Sequence, residues 1–267
     1  MGTEKRARQK ELHQSRLEAA RKQAESEARR KRVVTLTLVG LLGAAVIAAF
    51  VVFGGSDDKD TEAADSPDTS AVETTTTTTA PEPQDVGCAA ADGSSEQVLA
   101  FTNAPEMCID PAKSYSAAVT TNQGAFTIAL DAQRAPKTVN NFVNLARYRF
   151  YDGLIFHRII DGFMFQGGDP TGTGSGGPGY EFEDELPAEG EYEFYSVAMA
   201  NSGPDTNGSQ FFVITGQQGV GLPPSYSLFG KVVDGTDVAD KIGKTETDDG
   251  DQPLENVVIE SVTITEA

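Results

Sequence analysis

The sequence predicts a mainly-β domain, a closed or nearly closed antiparallel barrel, carried behind a single transmembrane helix and a disordered tether. Three observations predict it. From about residue 112, short runs alternate apolar and polar residues between turn signals, as half-buried strands do. Only two segments in that region repeat with helical spacing. Residues 33–53, VVTLTLVGLLGAAVIAAFVVF, carry no charge at all.

The chain has 267 residues, and its charge is unevenly placed. Residues 1–32 hold 11 Lys/Arg against 5 Asp/Glu, a net of +6. Glu4–Arg8, Glu18–Lys22, Glu25–Arg29 and Glu27–Lys31 are i,i+4 pairs, so this basic tail is expected to be a solvated helix. The 21 uncharged residues that follow match the ~30 Å hydrocarbon thickness at ~1.5 Å per residue. The run is longer than a signal peptide's apolar core and ends in Val-Val-Phe rather than small residues, so an uncleaved anchor is expected. Basic residues stay on the cytoplasmic side, which puts the tail inside and the body outside the cell membrane. Residues 54–87, rich in Thr, Pro, Asp and Glu, are read as a flexible linker with a reach of ~30 Å.

Residues 54–267 hold 10 basic and 35 acidic residues, a net of −25. Such a body repels phosphates, which argues against a nucleic-acid partner. Cys88 and Cys108 both follow the anchor and are expected to bond on its oxidising side, giving residues 88–111 the character of a disulfide-bearing extension. Two free thiols are the alternative.

The barrel is expected within residues 112–267. Tyr115–Thr121 and Gly124–Asp131 alternate as a hairpin around Asn122-Gln123. Pro136 opens a helix, TVNNFVNLARYRF, with Val139, Phe142, Val143 and Ala146 on one face. Ile155–Ile160, Met164–Gly167, Ser196–Met199, Gln210–Thr215 and Leu228–Val233 read as strands, Asp237–Ile242 as a short helix, and Asn256–Thr265 as the closing strand.

The stretch from Phe156 to Asp169, FHRIIDGFMFQGGD, sets one arginine among apolar and aromatic residues. Placing that permanent charge in an apolar groove costs free energy unless something needs it. Other chemistries lack their parts. The body has one histidine, His157, so neither a Ser-His-Asp set nor a pair of metal-binding histidines can be assembled. Gly172–Gly177 matches G-x-G-x-x-G but lacks a preceding strand and a following helix, and Pro178 comes next. Asn207-Gly208-Ser209 is a glycosylation sequon inside a turn. What remains suits a reaction without covalent intermediates, and rotation about an X-Pro bond is one. Its ~18–20 kcal/mol barrier comes from amide resonance. A fixed guanidinium that binds the twisted amide better than the planar one would lower it.

The stretch FHRIIDGFMFQGGDPTGTGSGGPGYEFEDE, the run Met199–Phe212 (MANSGPDTNGSQFF) and Leu228–Val232 (LFGKV) resemble the signature motifs of cyclophilin-type peptidyl-prolyl isomerases. The resemblance runs from about residue 114 to the end. It implies an eight-stranded antiparallel barrel capped by two helices, working as a monomer without cofactor or metal on proline-containing polypeptides. Residue by residue it implies Arg158, Phe163 and Gln166 as catalytic. Met164, Ala200, Asn201, Ser202, Gln210, Phe212, Leu222 and Tyr226 would bind substrate. The family's drug-contacting tryptophan is absent, with Gly221 in its place, so weak cyclosporin binding is expected; Tyr226 stands where a groove histidine is common. Other readings remain open: a proline-segment binding or chaperone module with little turnover, a cell-envelope scaffold in which the tail and tether matter most, and, for Arg158 alone, a structural ion pair with a nearby carboxylate such as Asp161.

Overall fold

The computed structural model describes residues 81–267, so the expectations for the tail, the anchor and most of the tether lie outside the described residues. Among the described residues no helix is long and apolar enough to cross a membrane.

Eight strands form one antiparallel sheet: β1 (Tyr115–Thr121), β2 (Gly124–Leu130), β3 (Arg158–Ile160), β4 (Met164–Gly167), β5 (Ser196–Met199), β6 (Phe211–Ile214), β7 (Leu228–Asp234) and β8 (Ile259–Glu266). Their order is β3-β4-β6-β5-β7-β2-β1-β8. The two end strands meet through the stretch before β3: Ile155 bridges Val258, and the Phe156 N–H donates to the Val257 carbonyl at 2.9 Å. The predicted strand Ile155–Ile160 is therefore shorter than expected. Only Arg158–Ile160 pairs as a strand, because the residues before it are spent on closing this seam.

Among the described residues there are three helices instead of the two expected. Helix α1 is Pro136–Arg147, α2 the single turn Gln217–Val220, and α3 Thr236–Gly243. One turn is too short to leave a periodic signal in sequence. Helix α1 stops three residues before the predicted end, since Arg149 takes φ 55, a left-handed conformation a helix cannot continue through. Its N-terminus has no side-chain cap of its own. The Glu185 carboxylate does that work from a distant loop, accepting from the Lys137 N–H (3.1 Å), the Thr138 N–H (2.8 Å) and the Thr138 hydroxyl (2.8 Å).

Two apolar clusters share the sheet. The larger fills the barrel, with Val139, Phe142, Val143 and Leu145 of α1 fully buried against Phe165, Phe211 and Phe229. The smaller lies on the other face of β4, β5 and β6 and gathers Met164, Ala198, Phe212 and Ile214 with Tyr192 and Leu228. Strands β5 and β6 are consequently buried on both faces and lose the alternation that marks β1.

Candidate active site

The smaller cluster floors the groove, and strand register builds its chemistry. Arg158 on β3 stands opposite Gln166 on β4, and Gln166 stands opposite Phe212 on β6. Directly opposed residues share a face ~5 Å apart, so a guanidinium, a carboxamide and a phenyl ring form one row across three strands. Met164, two residues before Gln166, lies on the same face, and Phe163 sits in the turn that precedes it. The Phe163 carbonyl fixes that turn by accepting from the Thr215 (3.0 Å) and Gly216 (3.1 Å) N–H groups.

Arg158, Phe163, Met164, Gln166, Ala200, Asn201, Phe212, Leu222 and Tyr226 together line a cavity of about 230 Å³. All nine belong to the set expected from sequence. Ser202 and Gln210, the other two, line a larger adjoining cavity of about 570 Å³ that shares Gln166, Ala200 and Asn201. Met164 and Phe212 are buried and form the floor. Tyr226 meets the Phe212 ring edge-on, centroids 5.3 Å apart. Its backbone is held at both ends by Tyr192, whose hydroxyl donates to the Tyr226 carbonyl (2.7 Å) and accepts from its N–H (3.0 Å).

Both glutamines are oriented. Gln166 Nε2 donates to Gln210 Oε1 at 2.9 Å, and Gln210 Nε2 donates to the Gly174 (3.1 Å) and Gly176 (2.8 Å) carbonyls. The Gly172–Gly177 loop owes its shape to Asp169 and not to a nucleotide. Buried Asp169 accepts the N–H groups of Thr171, Thr173, Gly174 and Gly176. A side chain at Gly176 would run into that carboxylate. Burial alone would raise the Asp169 pKa, but the donors of Gly176, Thr171 and Gly174 outweigh it and hold the carboxyl below its usual range. The Ala200 N–H donates to the Gln210 carbonyl (2.9 Å), while Asn201 Nδ2 donates to the Ser225 carbonyl (2.9 Å).

The apolar setting expected of Arg158 changes. Its side chain is 44% exposed, so it stands at the rim of the apolar pocket and keeps much of its hydration. It does pair with a carboxylate, and that carboxylate is Asp251 rather than Asp161: Arg158 Nε donates to Asp251 Oδ2 at 3.3 Å. Asp251 also accepts the Ile159 N–H on its carbonyl (2.9 Å) and takes φ 65. Sequence reasoning missed it because it lies 93 residues downstream in an acidic turn without a motif. His157 is buried with neither ring nitrogen partnered, and burial, opposed by nearby Asp169, lowers its pKa. Asn207 is fully buried and its amide donates to Asp184 Oδ1 (2.8 Å), so the sequon is closed in the folded domain. Cys88 and Cys108 are bonded, with Cα atoms 5.4 Å apart. Among the described residues no group of acidic, His or Cys side chains could hold a metal ion.

An apolar pocket with an amide row and a guanidinium at its rim is cut into the outer face of an antiparallel barrel, an arrangement that suits an apolar ring carried beside a polar amide. The family model for cyclophilin type peptidyl-prolyl cis-trans isomerases matches residues 116–264, and the chain belongs to that family. Peptidyl-prolyl cis-trans isomerase A of Mycobacterium tuberculosis is 48% identical over 172 residues, covering 58% of this chain and 94% of that protein. Peptidyl-prolyl cis-trans isomerase B of Streptomyces anulatus is 47% identical over 167 residues, 55% of this chain and 95% of the relative. A cyclophilin crystal structure from Cryptosporidium parvum, 34% identical, covers 57% of this chain and 98% of its own with a TM-score of 0.53. A second structure of that protein, in the presence of the dipeptide Ala-Pro, gives a TM-score of 0.52.

Proposed function

We propose that this chain is a peptidyl-prolyl cis–trans isomerase that turns X-Pro bonds of client polypeptides outside the cell membrane, tethered there by residues 33–53. The gathering of Arg158, Phe163, Met164, Gln166, Phe212, Leu222 and Tyr226 around one cavity carries the reading. The proline ring enters between Phe163, Met164, Phe212 and Leu222, which hold it apart from water. The client backbone lies along Ala200, Asn201 and Ser202, with Gln166 and Gln210 on its other side. As the amide twists, resonance is lost and the proline nitrogen becomes a better acceptor. Arg158 donates to it there and binds the twisted state more tightly than the planar one. No bond is made or broken, so no cofactor is called for. The Ala-Pro dipeptide used with the Cryptosporidium relative suits such a pocket.

The location rests on sequence. The uncharged 21-residue run behind a +6 tail supports an anchor with its N-terminus in the cytoplasm. The Cys88–Cys108 bond is in keeping with an oxidising compartment. Protease added to intact cells should cleave the isomerase domain away while sparing residues 1–32; the reverse would sink the orientation.

The activity test is exchange of a proline peptide with the full-length chain in mild detergent. Arg158→Ala should lower kcat/KM roughly 10²–10³-fold, the scale for losing one preorganised donor. An Arg158→Ala variant as active as the parent would remove Arg158 from the mechanism.

A further inference from the structure

The family match begins at residue 116, yet residues 81–111 are fastened to the barrel. Buried asparagines on α1 receive them. The Ala89 N–H donates to Asn144 Oδ1 (2.9 Å), the Cys108 N–H donates to Asn140 Oδ1 (2.7 Å), and Asn140 Nδ2 donates to the Glu106 carbonyl (2.8 Å). Gln97 Nε2 reaches the carbonyls of Arg149 (3.0 Å) and Asp152 (2.9 Å). Gln84 and Gly87, at the end of the stretch read as tether, take part as well. The Gln84 N–H donates to the Ala100 carbonyl (3.0 Å), and the Tyr148 hydroxyl to the Gly87 carbonyl (3.2 Å).

Phe101 is the anchor of this segment. It is 3% exposed and meets Tyr148 and Tyr180 edge-on, centroids 5.6 and 6.2 Å away. Its N–H donates to the Pro178 carbonyl at 2.7 Å. Its own carbonyl lies against Gly179, where φ is +104 and any side chain would collide with it. Tyr180 is pinned from the other side, its hydroxyl donating to Asn141 Oδ1 at 2.6 Å. Pro178, Gly179 and Tyr180 form a wall of the 570 Å³ cavity beside the groove. A continuous set of contacts thus runs from Phe101 to this wall of the cavity.

We propose that Phe101, held within the Cys88–Cys108 loop, is a positioning residue for the isomerase site. It fixes the Pro178–Tyr180 wall against which the client chain flanking the proline lies. It therefore sets the affinity for extended clients and leaves the rate of amide rotation alone. Ala89, Val98 and Ile109 of the same segment are buried as well, and the disulfide closes the loop that carries Ala89, Val98 and Phe101, which lowers the entropy cost of ordering it. This rests on the isomerase reading above.

The test uses the full-length chain in mild detergent with two variants, Phe101→Leu and Cys88→Ser/Cys108→Ser. Exchange NMR follows a blocked Ala-Pro dipeptide and a peptide with three further residues on each side. For the long peptide, Kd should rise roughly 2- to 30-fold, the range for changes that act on a site through neighbours, with the maximal exchange rate unchanged. For the dipeptide neither should move. Amide hydrogen exchange in residues 81–111 reports whether the segment has come loose. If it loosens while the long-peptide Kd stays within about twofold, the inference is overturned. Equal losses on both peptides overturn it too, since they would show general damage to the scaffold. A parent protein that accelerates neither peptide would sink the isomerase reading, and this inference with it.

Discussion

Replacing Asp169 with asparagine removes one charge and changes almost no volume, which isolates what the carboxylate does. Asp169 is 1% exposed. Its Oδ1 accepts from the Thr171 N–H (2.7 Å) and hydroxyl (2.8 Å). Its Oδ2 accepts from the Thr173 (3.1 Å), Gly174 (2.6 Å) and Gly176 (3.0 Å) N–H groups. An asparagine has one oxygen. Placed on the crowded side it keeps three partners without charge assistance, while its NH₂ faces the Thr171 N–H, donor against donor. Orphaning a buried N–H costs ~1–3 kcal/mol, and losing charge assistance weakens each remaining bond by about half. Allowing for relaxation of the loop, the variant should be less stable by about 2–4 kcal/mol. For a domain of this size that lowers Tm by roughly 5–15 °C. The loop also carries the Gly174 and Gly176 carbonyls that orient Gln210 and, through it, Gln166. A drop in kcat/KM of about tenfold should therefore accompany the instability. Urea unfolding and peptide exchange on the same preparation read both effects. An Asp169→Asn protein within ~0.5 kcal/mol of its parent would refute the argument that charge holds the loop.

The same carboxylate sets an acid sensitivity. Its folded pKa is depressed, so its stabilisation is full above the unfolded pKa and is lost as pH falls through the folded one. The stability gap between the parent and Asp169→Asn should be constant above about pH 5 and narrow below about pH 4, as urea midpoints across that range would show. Asp251→Ala should change kcat/KM only modestly, by about 1.4- to 5-fold. The Arg158–Asp251 pair is 44% and 41% exposed, and such pairs contribute ~0.2–1 kcal/mol. A loss as large as that of Arg158→Ala would give Asp251 a direct part in the chemistry. Tyr226→Ala should cost only about 0.5–1.5 kcal/mol of stability, the edge-to-face contact with Phe212, because Tyr192 holds its backbone and not its ring. Tyr226 lines the cavity, so peptide binding should weaken by about 2- to 12-fold, the scale of losing one aromatic contact to the ligand, and unchanged affinity by titration would take Tyr226 out of the groove.

Much of the domain was legible in order along the chain. Alternation located β1 and β2 to within a residue, and the spacing of Val139, Phe142, Val143 and Ala146 located the buried face of α1. Every groove residue expected from motif order lines one of two adjoining cavities. The errors share a cause. The strand expected over Ile155–Ile160 is shorter at its start because Ile155 and Phe156 serve the seam with Val258 and Val257. Asp161 was the nearest carboxylate in sequence, but Asp251 is the nearest in space. Asn140, Asn141 and Asn144 were simply polar residues in a helix until the extension and the cavity wall came to meet them.

Local physics is periodic, and the sequence by itself therefore determined the strand and helix segments, the charge-free run, the acidic body, the cysteine pair and the order of motifs. Pairing between distant strands obeys no local period. Only the tertiary structure decided that Arg158, Gln166 and Phe212 fall in one row, because that row is a matter of register across β3, β4 and β6. It alone decided that Arg158 stands half in water with Asp251 beside it. It also decided that Phe101, outside the family match, leans on the wall of the site, since nothing links residues 101 and 179 except the fold that closes between them.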